Sequence, residues 1–161
     1  MELQVEEAYK EGMKALNDGD VLFAAKKFNE AELLFPQSDW APRAALMAAY
    51  SYYSQDYYYD AEYELKRFLK IYPNQKNISY AHYLLGMVYY EKIVDEKKDL
   101  EPLLMAEKKF KFVEKNYPNS DFALDASYKL DLIQDYLASK EMYIGIHYIK
   151  KKKMDCSYQS F

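Results

Sequence analysis

Tyrosine is the most abundant chemistry in this sequence, at 19 of 161 residues, with seven methionines alongside. A phenol ring has an apolar body and a hydroxyl tip, so it suits surfaces that are partly buried and partly wet. Methionine adds a soft side chain that adapts to irregular partners. Such residues recognise other chains, or they fill the seams between helices. Groups suited to catalysis are scarce. His82 and His147 stand far apart, with no further ligand at metal-binding spacing. No glycine-rich phosphate loop and no nucleophile motif occurs. The single cysteine, Cys156, excludes an internal disulfide and a cysteine-rich metal site. These residues predict a protein that is not an enzyme and uses neither cofactor nor metal.

Charge narrows the partners. With 22 basic and 26 acidic residues the net charge is -4, and no basic stripe predicts nucleic acid as a partner. The run Lys150 to Lys153 lies near a helix end, where cations suit the macrodipole. The start, Glu2-Leu3-Gln4-Val5-Glu6-Glu7, is acidic and amphipathic, unlike a signal peptide. The longest uncharged stretch, Ala44 to Gln55, is far shorter than the ~20 residues of a membrane span. The chain as written is expected to be soluble.

The elements that position the tyrosines are repeated. Aligned on Pro36, Pro73 and Pro118, the residue twelve places earlier is Ala24, Ala61 or Ala106, and the residue eight places earlier is Phe28, Leu65 or Phe110. Directly before each proline stands Phe35, Tyr72 or Tyr117, and eight places after it Ala44, Ala81 or Ala126. A column of small residues beside a column of large ones is what closely packed helices need. Helical periodicity predicts helices over 3–18, 21–35, 40–55, 57–72, 78–94, 103–117 and 122–138, with a further short helix over 142–153. Pro36 and its counterparts close helices because proline bars the preceding residue from the helical region. Asn77-Ile78-Ser79 matches a glycosylation sequon, and Asn77 is better read as a helix cap. The fold class is therefore all-α: antiparallel helix pairs in repeats over 1–36, 37–73 and 74–118, the last with a charged insertion over 94–102. Residues 119–153 hold helix seven and the start of a fourth repeat, and 154–161 read as an irregular tail.

The spacing Gly12, Ala24, Phe28, Ala31, Pro36 is similar to the tetratricopeptide repeat, and Gly86, Tyr89, Ala106, Phe110, Pro118 matches it again. The second unit, with Ala49, Tyr52, Ala61 and Pro73, carries Phe68 where a small residue is usual. This resemblance implies a right-handed helical solenoid whose first helix in each pair lines a concave groove. The groove positions are then Tyr9 and Met13, then Leu46, Tyr50 and Tyr53, then Tyr80, Tyr83, Met87 and Tyr90. Such a surface suits an extended or helical peptide with apolar anchors, unless a neighbouring loop or helix fills it.

A narrower resemblance covers the chain to Lys153. The segments Phe35-Pro36-Gln37-Ser38-Asp39, Tyr72-Pro73-Asn74-Gln75-Lys76 and Tyr117-Pro118-Asn119-Ser120-Asp121, the stretch Ala44 to Tyr53 and the lengthened loop around Lys97 resemble the BamD (ComL/YfiO) outer-membrane assembly lipoproteins. The resemblance implies a five-repeat scaffold, lipid-anchored at the periplasmic face of the bacterial outer membrane. It would act there with a BamA-type subunit to fold and insert β-barrel proteins. Its groove would recognise unfolded barrel precursors, whose terminal signal is aromatic-rich. The family's signal peptide and lipid-bearing cysteine are not in this sequence, and the last two repeats are missing, so the N-terminal half of such a protein is expected. The alternatives are a periplasmic tetratricopeptide adaptor of the cell-division or envelope-coordination type, and a generic peptide-binding module of the same architecture.

Overall fold

The computed structural model describes residues 2–95 and 99–159, all of whose regular structure is helical. Seven helices follow one another: α1 (Glu2–Asn17), α2 (Val21–Leu34), α3 (Trp40–Ser54), α4 (Tyr58–Ile71), α5 (Ile78–Asp95), α6 (Glu101–Asn116) and α7 (Ala123–Gln159). Each packs against its successor, and α3 also touches α1 and α5. The odd-numbered helices thus form one layer of a solenoid and the even-numbered helices the other, as in tetratricopeptide arrays.

Local chemistry explains the joints. After α1 the Asp20 amide donates to the Ala15 carbonyl and the Gly19 amide to that of Leu16, a pattern that closes a helix through a left-handed residue. Gly19 supplies that residue, at φ +83°. One repeat later Asp56 takes the same place at φ 65°, where aspartate is among the few side chains that tolerate it. Asp20 then caps α2 by accepting from the Phe23 amide at 3.2 Å. Beyond Pro36 and Pro118 the Ser38 and Ser120 hydroxyls donate back to the Phe35 and Tyr117 carbonyls, each at 2.8 Å, so both turns are built alike.

Packing follows the two columns. Ala24, Ala61 and Ala106 are wholly buried, as are Ala44, Ala81 and Ala126. A Cβ placed on Gly12 would meet the Phe28 ring at 2.8 Å, and one on Gly86 the Phe110 ring at 2.8 Å. The second repeat has Ala49 and Leu65 at those positions, a larger small residue against a smaller large one, both fully buried. Phe68 is buried as well and packs against Tyr72 with the rings tilted, centroids 5.4 Å apart, so the second repeat accommodates its atypical ring.

Ion pairs join helices within and between the layers. Glu32 of α2 accepts from both Nη atoms of Arg67 on α4, at 2.8 and 2.6 Å, and from the Tyr72 hydroxyl at 2.7 Å, while Glu64 pairs with the same guanidinium at 2.9 Å. Burial makes these carboxylates dependent on their partner. Glu62 plays the matching part between α4 and α5, taking Lys66, Lys92 and the Tyr89 hydroxyl.

Two expectations are corrected. No separate helix occupies 142–153, because α7 runs unbroken from Ala123 to Gln159. Ser139, Lys140 and Glu141 contain no proline to stop it, and Gly145 inside the helix costs only ~1 kcal/mol. For the same reason residues 154–159 are helical rather than an irregular tail. Helix α6 also starts at Glu101, with Pro102 in its first turn, which proline tolerates. Of the insertion, 96–98 lie outside the described residues, as do Ser160 and Phe161 at the end. Among the described residues no helix is long and apolar enough to cross a membrane.

Candidate functional site

Helices α1, α3 and α5 lie side by side, and where they meet, an open hollow of about 500 Å³ forms. Tyr9, Leu46, Tyr50 and Tyr80 line it, with Arg43 and Asn77 supplying polar groups at its margin. Its floor is braced from below. The Tyr9 ring packs 5.3 Å from Phe28 and 5.1 Å from Trp40, and the Tyr80 ring 4.9 Å from Phe122. Tyr50 remains 37% exposed, which leaves its face free for a ligand. Leu46 is 6% exposed and works mainly as core, with only an edge reaching the hollow.

Burial keeps the Tyr9 and Tyr80 phenols neutral. Burial pushes Tyr80 up to about 12, assisted by Tyr50 and Tyr53 nearby. Burial raises Tyr9 too, opposed by the Arg43 guanidinium. The hydroxyls therefore stay hydrogen-bond donors at neutral pH, while Arg43 keeps a fixed positive charge at the rim. The arrangement offers ring faces, donors and one cation, a set of groups suited to an extended segment with apolar anchors.

The other expected groove residues stand elsewhere. The Tyr83 hydroxyl donates to Asp125 Oδ2 of α7 at 2.5 Å, and its ring stacks on Phe122 at 5.1 Å. The Tyr90 ring meets Phe110 edge-on at 6.4 Å and lies 5.4 Å from the Lys129 ammonium. Tyr53 is half-buried beside Tyr58, with burial pushing its phenol up to about 12. Met13 and Met87 are half-buried against the two cores. In the third repeat, then, α7 packs on Tyr83 and Tyr90, as a following first helix must, while Tyr80 stays at the hollow. Arg43, Met47, Asn77 and Phe122 also line the hollow and were not expected. Arg43 and Met47 lie on α3 one turn apart, either side of Leu46, a signal that counting outward from Leu46 would have found.

The histidines sit apart from this site. His82 packs 4.4 Å from Phe112, and its Nδ1 lies 3.4 Å from Lys109 Nζ; His147 stacks on Tyr143 along exposed α7. Among the described residues no group of histidine, cysteine or carboxylates could hold a metal ion. The side chain of Cys156 lies outside them.

Comparison with known proteins adds the family. A structure of the first TPR domain of Spaghetti (RPAP3), bound to an HSP90 peptide, superposes with a TM-score of 0.63 over 84% of this chain and 94% of that one. At 18% identity it shows the shared fold alone. The outer membrane protein assembly factor BamD of Caulobacter vibrioides is 37% identical over 92% of this chain and 49% of its own length. That of Rickettsia prowazekii is 36% identical over 89% and 57%, and that of Neisseria gonorrhoeae 31% over 91% and 59%. The chain thus spans about half the length of these curated relatives. The model of the YfiO family, described as outer membrane lipoprotein, matches residues 1–156, nearly the whole sequence. With its repeats, fold and relatives in agreement, this chain belongs to the YfiO outer membrane lipoprotein family.

Proposed function

We propose that this chain is a non-enzymatic, substrate-holding part of an outer-membrane β-barrel assembly factor. It would work at the periplasmic face with a BamA-type subunit, and the hollow between α1, α3 and α5 would hold aromatic-rich, extended segments of unfolded barrel precursors. The names of the relatives support the assembly role. The hollow supports the binding role: Tyr50 and Tyr80 present ring faces and hydroxyls beside Arg43 and Asn77. Aromatic rings give large contact area at low entropic cost, and the hydroxyls can satisfy a bound backbone. The positive rim favours segments that carry a carboxylate near their aromatics.

The reading is tested by titrating the chain with a labelled peptide from the end of a barrel precursor and with the same peptide after its aromatics are changed to alanine. The aromatic peptide should bind at least tenfold more tightly, because each lost anchor removes on the order of 1–2 kcal/mol. Equal affinity for the two would refute it.

A further inference from the structure

A second hollow, of about 430 Å³, opens along α6, lined by Lys108, Lys109, Lys111, Phe112, Lys115 and Asn116. Four lysines within eight residues are a local excess in a chain of net charge -4. Among the described residues only Lys111 has a carboxylate within ion-pairing reach, Glu107 at 2.6 Å. Glu114, on the same helix, accepts from the Ser127 hydroxyl at 3.1 Å.

Lys109 is the unusual member. It is half-buried, with its ammonium 3.4 Å from His82 Nδ1 and 6.0 Å from the Phe112 ring centre, and among the described residues no carboxylate pairs with it. Burial, with Lys108 and Lys66 nearby, holds it below the usual lysine range. An ammonium can donate to His82 Nδ1 only while that nitrogen is unprotonated, and burial with the Lys109 charge pushes His82 down to about 4. A partly desolvated cation beside two like charges is destabilising until an anion joins it. Beside it Phe112 leaves 39% of its surface in solvent.

We propose that this hollow docks an acidic polypeptide segment that carries an aromatic or aliphatic side chain next to its carboxylates. A carboxylate on a flexible stem reaches the recessed Lys109, while Lys108 and Lys115 take neighbouring acids and the apolar side chain covers Phe112. A flat layer of lipid headgroups meets Lys108 and Lys115 but not Lys109. Free phosphate satisfies the lysines and leaves Phe112 bare. The surface lies on other helices than the tyrosine-lined hollow and stands independently of the reading given to that one.

The test is fluorescence anisotropy of the whole chain with a labelled, end-blocked peptide of glutamates around one phenylalanine. Its glutamine counterpart, inorganic phosphate, and vesicles of phosphatidylcholine with phosphatidylglycerol serve as rivals. The acidic peptide should bind at least tenfold more tightly than the glutamine one, weaken as salt rises, and shift the His82 ring resonances. Lys109→Met should weaken it at least tenfold, and Lys108→Gln with Lys115→Gln, both at exposed positions, at least threefold. Equal binding of both peptides overturns the proposal, as does unchanged affinity in folded variants. Binding of vesicles or phosphate without the peptide overturns it too.

Discussion

Gly12 and Gly86 are required by the rings opposite them, since an added methyl would sit 2.8 Å from Phe28 or Phe110. Gly12→Ala should destabilise the chain by about 2 kcal/mol through overpacking. Adding Phe28→Leu should recover part of that loss, because Ala49 and Leu65 already form the compensated pair in the second repeat. Urea unfolding of both variants decides it; a neutral Gly12→Ala, or a double variant weaker than the sum of the singles, contradicts this packing. The glycine and ring columns were legible in the sequence because proline-aligned spacing exposes them. That one glycine–ring pair is exchanged for an alanine–leucine pair of compensating size follows once the three repeats are superposed.

His82 makes a second residue-scale prediction. Its folded value lies near 4 and its ordinary value at 6.5. Between those values the unfolded chain binds a proton that the folded chain does not, so stability should fall as pH drops from about 6.5 towards 4. Partial exposure reduces the effect to about 2 kcal/mol. Glu62, held below the usual carboxylate range despite its burial because Lys66 and Lys92 pair with it, adds its own loss only at lower pH. Urea midpoints across this window should flatten in His82→Gln. A pH slope unchanged by that substitution would contradict the account. The lysine and phenylalanine neighbours of His82 come from α6, beyond the reach of helical periodicity in α5.

At the scale of elements, Arg67 fastens α2 to α4. Arg67→Met leaves Glu32 and Glu64 buried without a counter-charge and should cost about 3 kcal/mol. Replacing all three by apolar residues should cost less than the single change; urea unfolding compares them, and a single loss under about 1 kcal/mol is the contrary outcome. Helix α7 shows the opposite condition. Ala126, Leu130 and Ile133 are buried on α6, whereas every side chain from Glu141 to Asp155 is exposed. Hydrogen exchange should therefore show strong protection to about Leu137 and little beyond, where the helix presents exposed side chains and buries almost no apolar surface; even protection to Asp155 would contradict it. The helices and their proline stops were readable from pattern. The junction at Ser139 to Glu141 was not, because a change in burial resembles a helix end when only apolar spacing is visible.

At the scale of the molecule, repeat order decides which tyrosines face a ligand. Of the groove residues named from repeat position, Tyr9, Leu46, Tyr50 and Tyr80 meet at one hollow, whereas Tyr83 and Tyr90 contact α7. Position within a repeat is local information and coverage by the next repeat is not, so Phe122, from the joint before α7, went unseen. The central claim, that the hollow holds aromatic-rich precursor segments, is tested most directly with the variant Tyr50→Ala/Tyr80→Ala. Its affinity for a labelled precursor-end peptide should fall at least tenfold with helicity unchanged by circular dichroism, about 1.4 kcal/mol or more. A folded double variant that binds as tightly as the parent chain would contradict the claim.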